Sequence, residues 1–168
     1  MSTGPLPTFE FRTVPSIQVE WSGAKRLGEM LAARFAGRRA LVVTDAGLVK
    51  AGLLGPVLAG LEAEGFRATV FDAVVADPPE SVLLDCVRQA REAGVEIVLG
   101  LGGGSSLDVA KLAAVLLVTE QELPQIYGIG KVTGSRLPLV LVPTTAGTGS
   151  EVTNISILTT GETTKMGV

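Results

Sequence analysis

Short runs rich in Val and Leu alternate with longer stretches of helical periodicity along most of this chain. RRALVVTD, FRATVFDAVV, VEIVLGL and LPLVLVP are near-continuous apolar segments rather than alternating ones. Strands of that kind are buried on both faces, and burial on both faces is the mark of a parallel sheet covered by helices. The intervening segments SGAKRLGEMLAARFAG, GLLGPVLAGLEAEG, DPPESVLLDCVRQAREAG and GGGSSLDVAKLAAVLLVT predict those helices. Leu27, Met30, Leu31 and Phe35 fall at helical spacing, and Pro56 suits a first helical turn. Asp77 is placed to cap the helix that Pro78 and Pro79 start. FEFRTVPSIQVEW, with partial two-residue alternation and a proline, predicts an N-terminal edge strand. The tail ISILTTGETTKMGV reads as a strand, a glycine turn and the start of another strand. The expectation is an α/β domain with helices on both faces of a parallel sheet.

Composition narrows the chemistry. With 168 residues, 46% of them hydrophobic, the chain can bury a real core. Its 14 Lys and Arg are scattered, aromatics make up 4%, and the net charge is −3, so no nucleic-acid surface is expected. The apolar runs are too short to span a bilayer, and the first residues lack a secretory pattern. The single cysteine, Cys86, fits core packing and a reducing, cytoplasmic setting. The chain has no His, which excludes imidazole acid–base chemistry and imidazole metal ligation within it.

In an open parallel sheet, ligands bind beyond the carboxyl ends of the strands. Three post-strand loops stand out. GLGGGSSLDVAK, residues 100–111, puts consecutive glycines before a helix, and glycines let a ligand approach the backbone closely. The helix start offers unpaired N–H groups and a positive dipole end, which suits a pyrophosphate. Ser105 or Ser106 could cap that helix. The stretch is neither a GxGxxG fingerprint nor a GK[ST] phosphate loop. A tight turn with no ligand is the plain alternative. Asp108 and Lys111 lie three apart on the helix, either as a surface ion pair or near the ligand. PTTAGTGSE, residues 143–151, is rich in hydroxyls, and Thr148 with Glu151 fits a capping box. Asp45 ends a strand, where a carboxylate accepts ribose hydroxyls and repels a 2′-phosphate, or simply caps AGLVKAG.

VVTDAGL, GLGGGSSLDVAK and LVPTTAGTGSEVTN, in that order, resemble the N-terminal domain of the iron-containing (group III) alcohol dehydrogenases. WSGAKRLGEML and DPPESV are also similar, and the resemblance spans nearly the whole chain. It implies a Rossmann-like, NAD(P)-binding domain of the dehydroquinate synthase-like fold over residues 1–168, and the Asp45 carboxylate favours NAD over NADP. By the same resemblance, Asp45 would meet the adenosine ribose. Gly103, Gly104 and Ser105 would hold the pyrophosphate, and Asp108 would close the loop near the nicotinamide side. Thr144, Thr145, Thr148 and Lys165 would add further cofactor contacts. Asp77 departs from the family, which often has Asn before the proline.

The family holds a divalent metal, usually iron, with an Asp and three His of a C-terminal helical domain. That domain is expected to lie outside this chain, so no metal ligand or catalytic residue is assigned here. The implied activity is hydride transfer between an alcohol or aldehyde and the cofactor, with this chain inactive alone. A glycerol dehydrogenase, a dehydroquinate synthase-like enzyme and a stand-alone nucleotide-binding module are the alternatives. The apolar N-terminal strand is compatible with a homodimer.

Overall fold

The computed structural model describes residues 13–161 and 163–168. A four-stranded parallel sheet runs in the order β2-β1-β3-β4, with β1 Arg39–Asp45, β2 Arg67–Val74, β3 Ile97–Gly102 and β4 Leu139–Pro143. Every residue of β3 is buried, as expected of a central strand read from an unbroken apolar run. The helices are α1 Leu27–Arg34, α2 Ala46–Lys50, α3 Leu54–Ala63, α4 Glu80–Glu92 and α5 Gly104–Leu116. One face of the sheet, through Leu41, Val43 and Val98, packs on α4 and α5. The other, through Val42, Ile97 and Leu99, packs on α1, α2 and α3. Cys86 lies in the first core, as the sequence implied.

The chain steps from β1 outward to β2, then crosses over to place β3 on the other side of β1. The winding direction therefore reverses between β1 and β3, and the loops after them flank a crevice. Side-chain bonding also latches the opposite ends of these strands. The Glu96 carboxylate accepts from the backbone amides of Arg38 at 2.9 Å and Arg39 at 3.1 Å. Those amide bonds hold its carboxyl below the usual carboxylate range.

Helix α1 crosses α3 at close range. A Cβ on Gly28 would lie 2.0 Å from the Gly60 carbonyl oxygen, and one on Gly60 would lie 2.4 Å from that of Lys25. Both positions therefore require glycine for packing.

The tail forms a separate antiparallel hairpin, β5 Ile157–Thr160 and β6 Thr164–Gly167. It docks on the turn before α4, where Thr159 N donates to the Pro78 carbonyl at 3.0 Å. No helix among the described residues is long and apolar enough to cross a membrane.

Two expectations change. Residues 9–12 of the expected edge strand lie outside the described residues, and residues 13–21 form no strand. Their polar groups turn instead to α1, where Arg34 donates to Ser16 Oγ and Gln18 Oε1, both at 3.4 Å. Val19 and Trp21 are exposed. Asp77 does not cap α4, whose N-cap is Pro79. Two prolines keep the chain extended past Asp77, so its carboxylate cannot reach the first-turn amides.

Candidate functional site

Asp45, Gly102 and Pro143 end β1, β3 and β4 at the same edge of the sheet. The glycine turn after β3 runs straight into α5, and Gly103 is the N-cap with extended backbone. No side chain caps this helix. The expectation that Ser105 or Ser106 would do so fails because both lie inside the first turn, past the cap position. Ser106 is buried, and its hydroxyl faces Asp45 Oδ2 at 3.5 Å. Asp45 itself caps α2, its Oδ1 accepting from Leu48 N at 3.0 Å. Its second carboxylate oxygen therefore keeps acceptor capacity at the crevice.

The hydroxyl-rich loop lies directly across from the glycine turn. Thr144 N donates to the Gly102 carbonyl at 2.9 Å, which ties the two together. A Cβ on Gly103 would meet Thr145 at 3.5 Å, and one on Gly104 would meet Thr148 Cβ and Cγ2 at 3.2 Å. Any side chain at Gly104 would thus enter the space between turn and loop. The capping box of Thr148 with Glu151 does not form, because no helix follows. The chain makes one turn on the Gly149 carbonyl and then extends to β5. Thr148 Oγ1 instead faces the Ser150 amide at 3.5 Å.

Asp108 sits on the cleft side of α5, buried. It accepts the Ser150 hydroxyl on one oxygen and the Ile157 amide, at 3.0 Å, on the other. Lys111 Nζ lies 3.0 Å away and also donates to the Thr153 carbonyl at 3.4 Å and to that of Ile155. The pair is nine-tenths buried rather than a surface bridge. It joins α5 to the loop and to the hairpin at once.

These walls enclose a cleft of about 280 Å³ lined by Gly104, Ser105, Asp108, Thr148 and Lys165 among others. Of the expected residues, Asp45, Gly103, Thr144 and Thr145 stand around it without lining it. Asp77, Ser150, Ile155 and Ile157 line it and were not assigned to it from sequence. Ser150 belongs to the quoted GTGSE stretch, so a signal was present. Ile155 and Ile157 carried none, since they read simply as strand residues. Among the described residues, no group of three His, Cys, Asp or Glu side chains converges. The described residues do not fit a divalent metal.

A parallel sheet wound both ways, with a glycine turn and helix N-terminus at its switch point, defines a nucleotide-cleft class of α/β domain. A family profile described as iron-containing alcohol dehydrogenase matches residues 15–168, and the chain belongs to that family. It is 45% identical over 138 residues to long-chain-alcohol dehydrogenase 1 of Geobacillus thermodenitrificans, covering 79% of this chain and 34% of that protein. A crystal structure of 1,3-propanediol oxidoreductase superposes with a TM-score of 0.89 at 31% identity, covering 96% of this chain and 42% of that one. Sulfoacetaldehyde reductase from Bifidobacterium kashiwanohense, solved in complex with NAD+, superposes with a TM-score of 0.84 at 27% identity over 96% of this chain and 43% of its own. The chain spans about a third of the length of the curated relatives it matches first.

Proposed function

We propose that this cleft binds the pyrophosphate of a nicotinamide dinucleotide, NAD in preference to NADP. Residues 1–168 would then be the cofactor-binding part of an enzyme moving hydride between an alcohol and an aldehyde. The carrying observation is the uncapped start of α5 at the cleft, where Gly104 faces Thr148 so closely that a Cβ would lie 3.2 Å from it. The complex of the related sulfoacetaldehyde reductase with NAD+ supports the same reading.

The amides of Gly103, Gly104 and Ser105 would donate to phosphate oxygens, helped by the helix dipole. Thr144, Thr145 and Thr148 would supply hydroxyls from the opposite wall. Asp45 would accept a ribose hydroxyl on Oδ2, beside the long contact from Ser106, and repel a 2′-phosphate there. Asp108 is a positioning residue on this reading, because its oxygens are engaged by Ser150 and Ile157. The bound nicotinamide supplies hydride transfer, and the protein holds and orients it.

Calorimetric titration of the chain with NAD and NADP tests the proposal. Saturable binding, tighter for NAD, is expected. Absence of binding by either dinucleotide would overturn it.

A further inference from the structure

Among the described residues, the cleft has one cationic lining side chain, Lys165, and it is already engaged. Its Nζ lies 2.6 Å from Asp77 Oδ1. The pairing is set by the fold. Thr159 and Lys165 are cross-strand partners in the hairpin. Thr159 Oγ1 donates to the Asp77 carbonyl at 3.0 Å, and Thr159 N donates to that of Pro78. The same ladder that docks the hairpin therefore brings Lys165 to Asp77. Asp77 is also held at φ 50°, a left-handed conformation that few residues besides Gly, Asn and Asp adopt readily.

The remaining charge in the cleft does not help an anion. Asp108 is the second acidic lining residue, and Lys111, which pairs with it, also bonds to the Thr153 and Ile155 carbonyls. With Asp77 in place, the lining thus presents an engaged lysine and two carboxylates to any incoming phosphate.

Resting on the dinucleotide reading, we infer that Asp77 is an affinity- and specificity-setting residue that competes with the ligand's phosphates for Lys165. The side chains of Lys165 and Asp77 are 55% and 66% exposed, so their bridge is weak and solvent-screened. A dinucleotide anchored at the α5 N-terminus can draw Lys165 away. A free phosphate or a mononucleotide, with fewer contacts to offset the competition, is selected against. Asp77 therefore lowers affinity for every anion in the cleft, and proportionally most affects small ones.

The test compares the Asp77→Asn, Lys165→Gln and double variants with the parent chain. Asn keeps the left-handed backbone and removes only the charge. Asp77→Asn is expected to bind NAD about fivefold tighter at low salt, the scale of one solvent-exposed ion pair. That gain should shrink as salt rises. It should also vanish in the Asp77→Asn/Lys165→Gln double variant, because the freed lysine carries it. Inorganic pyrophosphate, used as a competitor of NAD, should displace it more readily from Asp77→Asn than from the parent. Parent binding with equal or weaker affinity in Asp77→Asn overturns this inference and leaves the dinucleotide reading standing. A gain that survives the loss of Lys165 also overturns it. No NAD binding by either chain overturns both.

Discussion

Asp108 and Ser150 are joined by a buried hydrogen bond that spans the cleft wall, from the second turn of α5 to the hydroxyl-rich loop. The other Asp108 oxygen takes the Ile157 amide at the start of β5. One carboxylate thus sets the distance between the helix that starts at the glycine turn, the loop facing it and the hairpin beyond. Asp108→Ala would leave a buried hydroxyl and an amide without their acceptor and Lys111 without its counter-charge. A loss of about 3 kcal/mol in unfolding free energy is expected, against about 1 kcal/mol for Ser150→Ala. Denaturant unfolding of both variants measures this. Equal, small losses would mean that Asp108 clamps nothing.

Gly104→Val should separate binding from folding. The new side chain enters the gap between the turn and Thr148 and blocks the approach of a phosphate to the backbone. Loss of two charge-assisted amide contacts corresponds to a drop in NAD affinity of about hundredfold or more. The thermal midpoint should fall only modestly, since the position is the first residue of α5 and Thr148, which must shift to admit the side chain, is exposed. A folded variant with unchanged affinity would remove the pyrophosphate from this turn.

Asp45→Ser tests cofactor choice. Serine retains the N-cap acceptor for the Leu48 amide, so α2 should persist. The charge is lost, and the preference for NAD over NADP should fall by about tenfold. Paired titrations with the two cofactors give the ratio. An unchanged ratio would leave Asp45 as a helix cap and nothing more.

Glu96 should make stability depend on pH. Its carboxyl is held below the ordinary range chiefly by the Arg38 and Arg39 amides, with Arg39's charge adding to them. A depressed acid stabilises the fold above its unfolded value, and that contribution disappears as pH falls through the folded value. The difference in thermal midpoint between the parent and Glu96→Gln should therefore be largest near neutrality and close below the ordinary carboxylate range. A difference independent of pH would contradict this.

Cys86 should be inert in the folded protein. Burial alone pushes its thiol up to about 12, so thiolate is scarce at neutral pH and access is closed. A thiol-specific disulfide reagent should label it only after denaturation. Rapid labelling of the native chain would show that α4 opens readily.

The residue sequence alone determined the layered α/β class. Buried strands of a parallel sheet must be apolar throughout, and RRALVVTD and VEIVLGL can satisfy that only in such a setting. It also marked the glycine turn and the hydroxyl-rich loop, because glycine and hydroxyl clusters are local features with local causes. The N-terminal strand and the Asp77 cap were misread, since each depended on where a segment found its partners rather than on its own pattern. Val19 and Trp21 alternate like strand residues, yet the described part of that segment pairs with no strand. Only the tertiary structure decided that Asp108 binds Ser150, 42 positions away, and that Lys165 meets Asp77 across 88. Contacts at such separations arise from strand order and hairpin docking, and neither leaves a periodic trace in the chain.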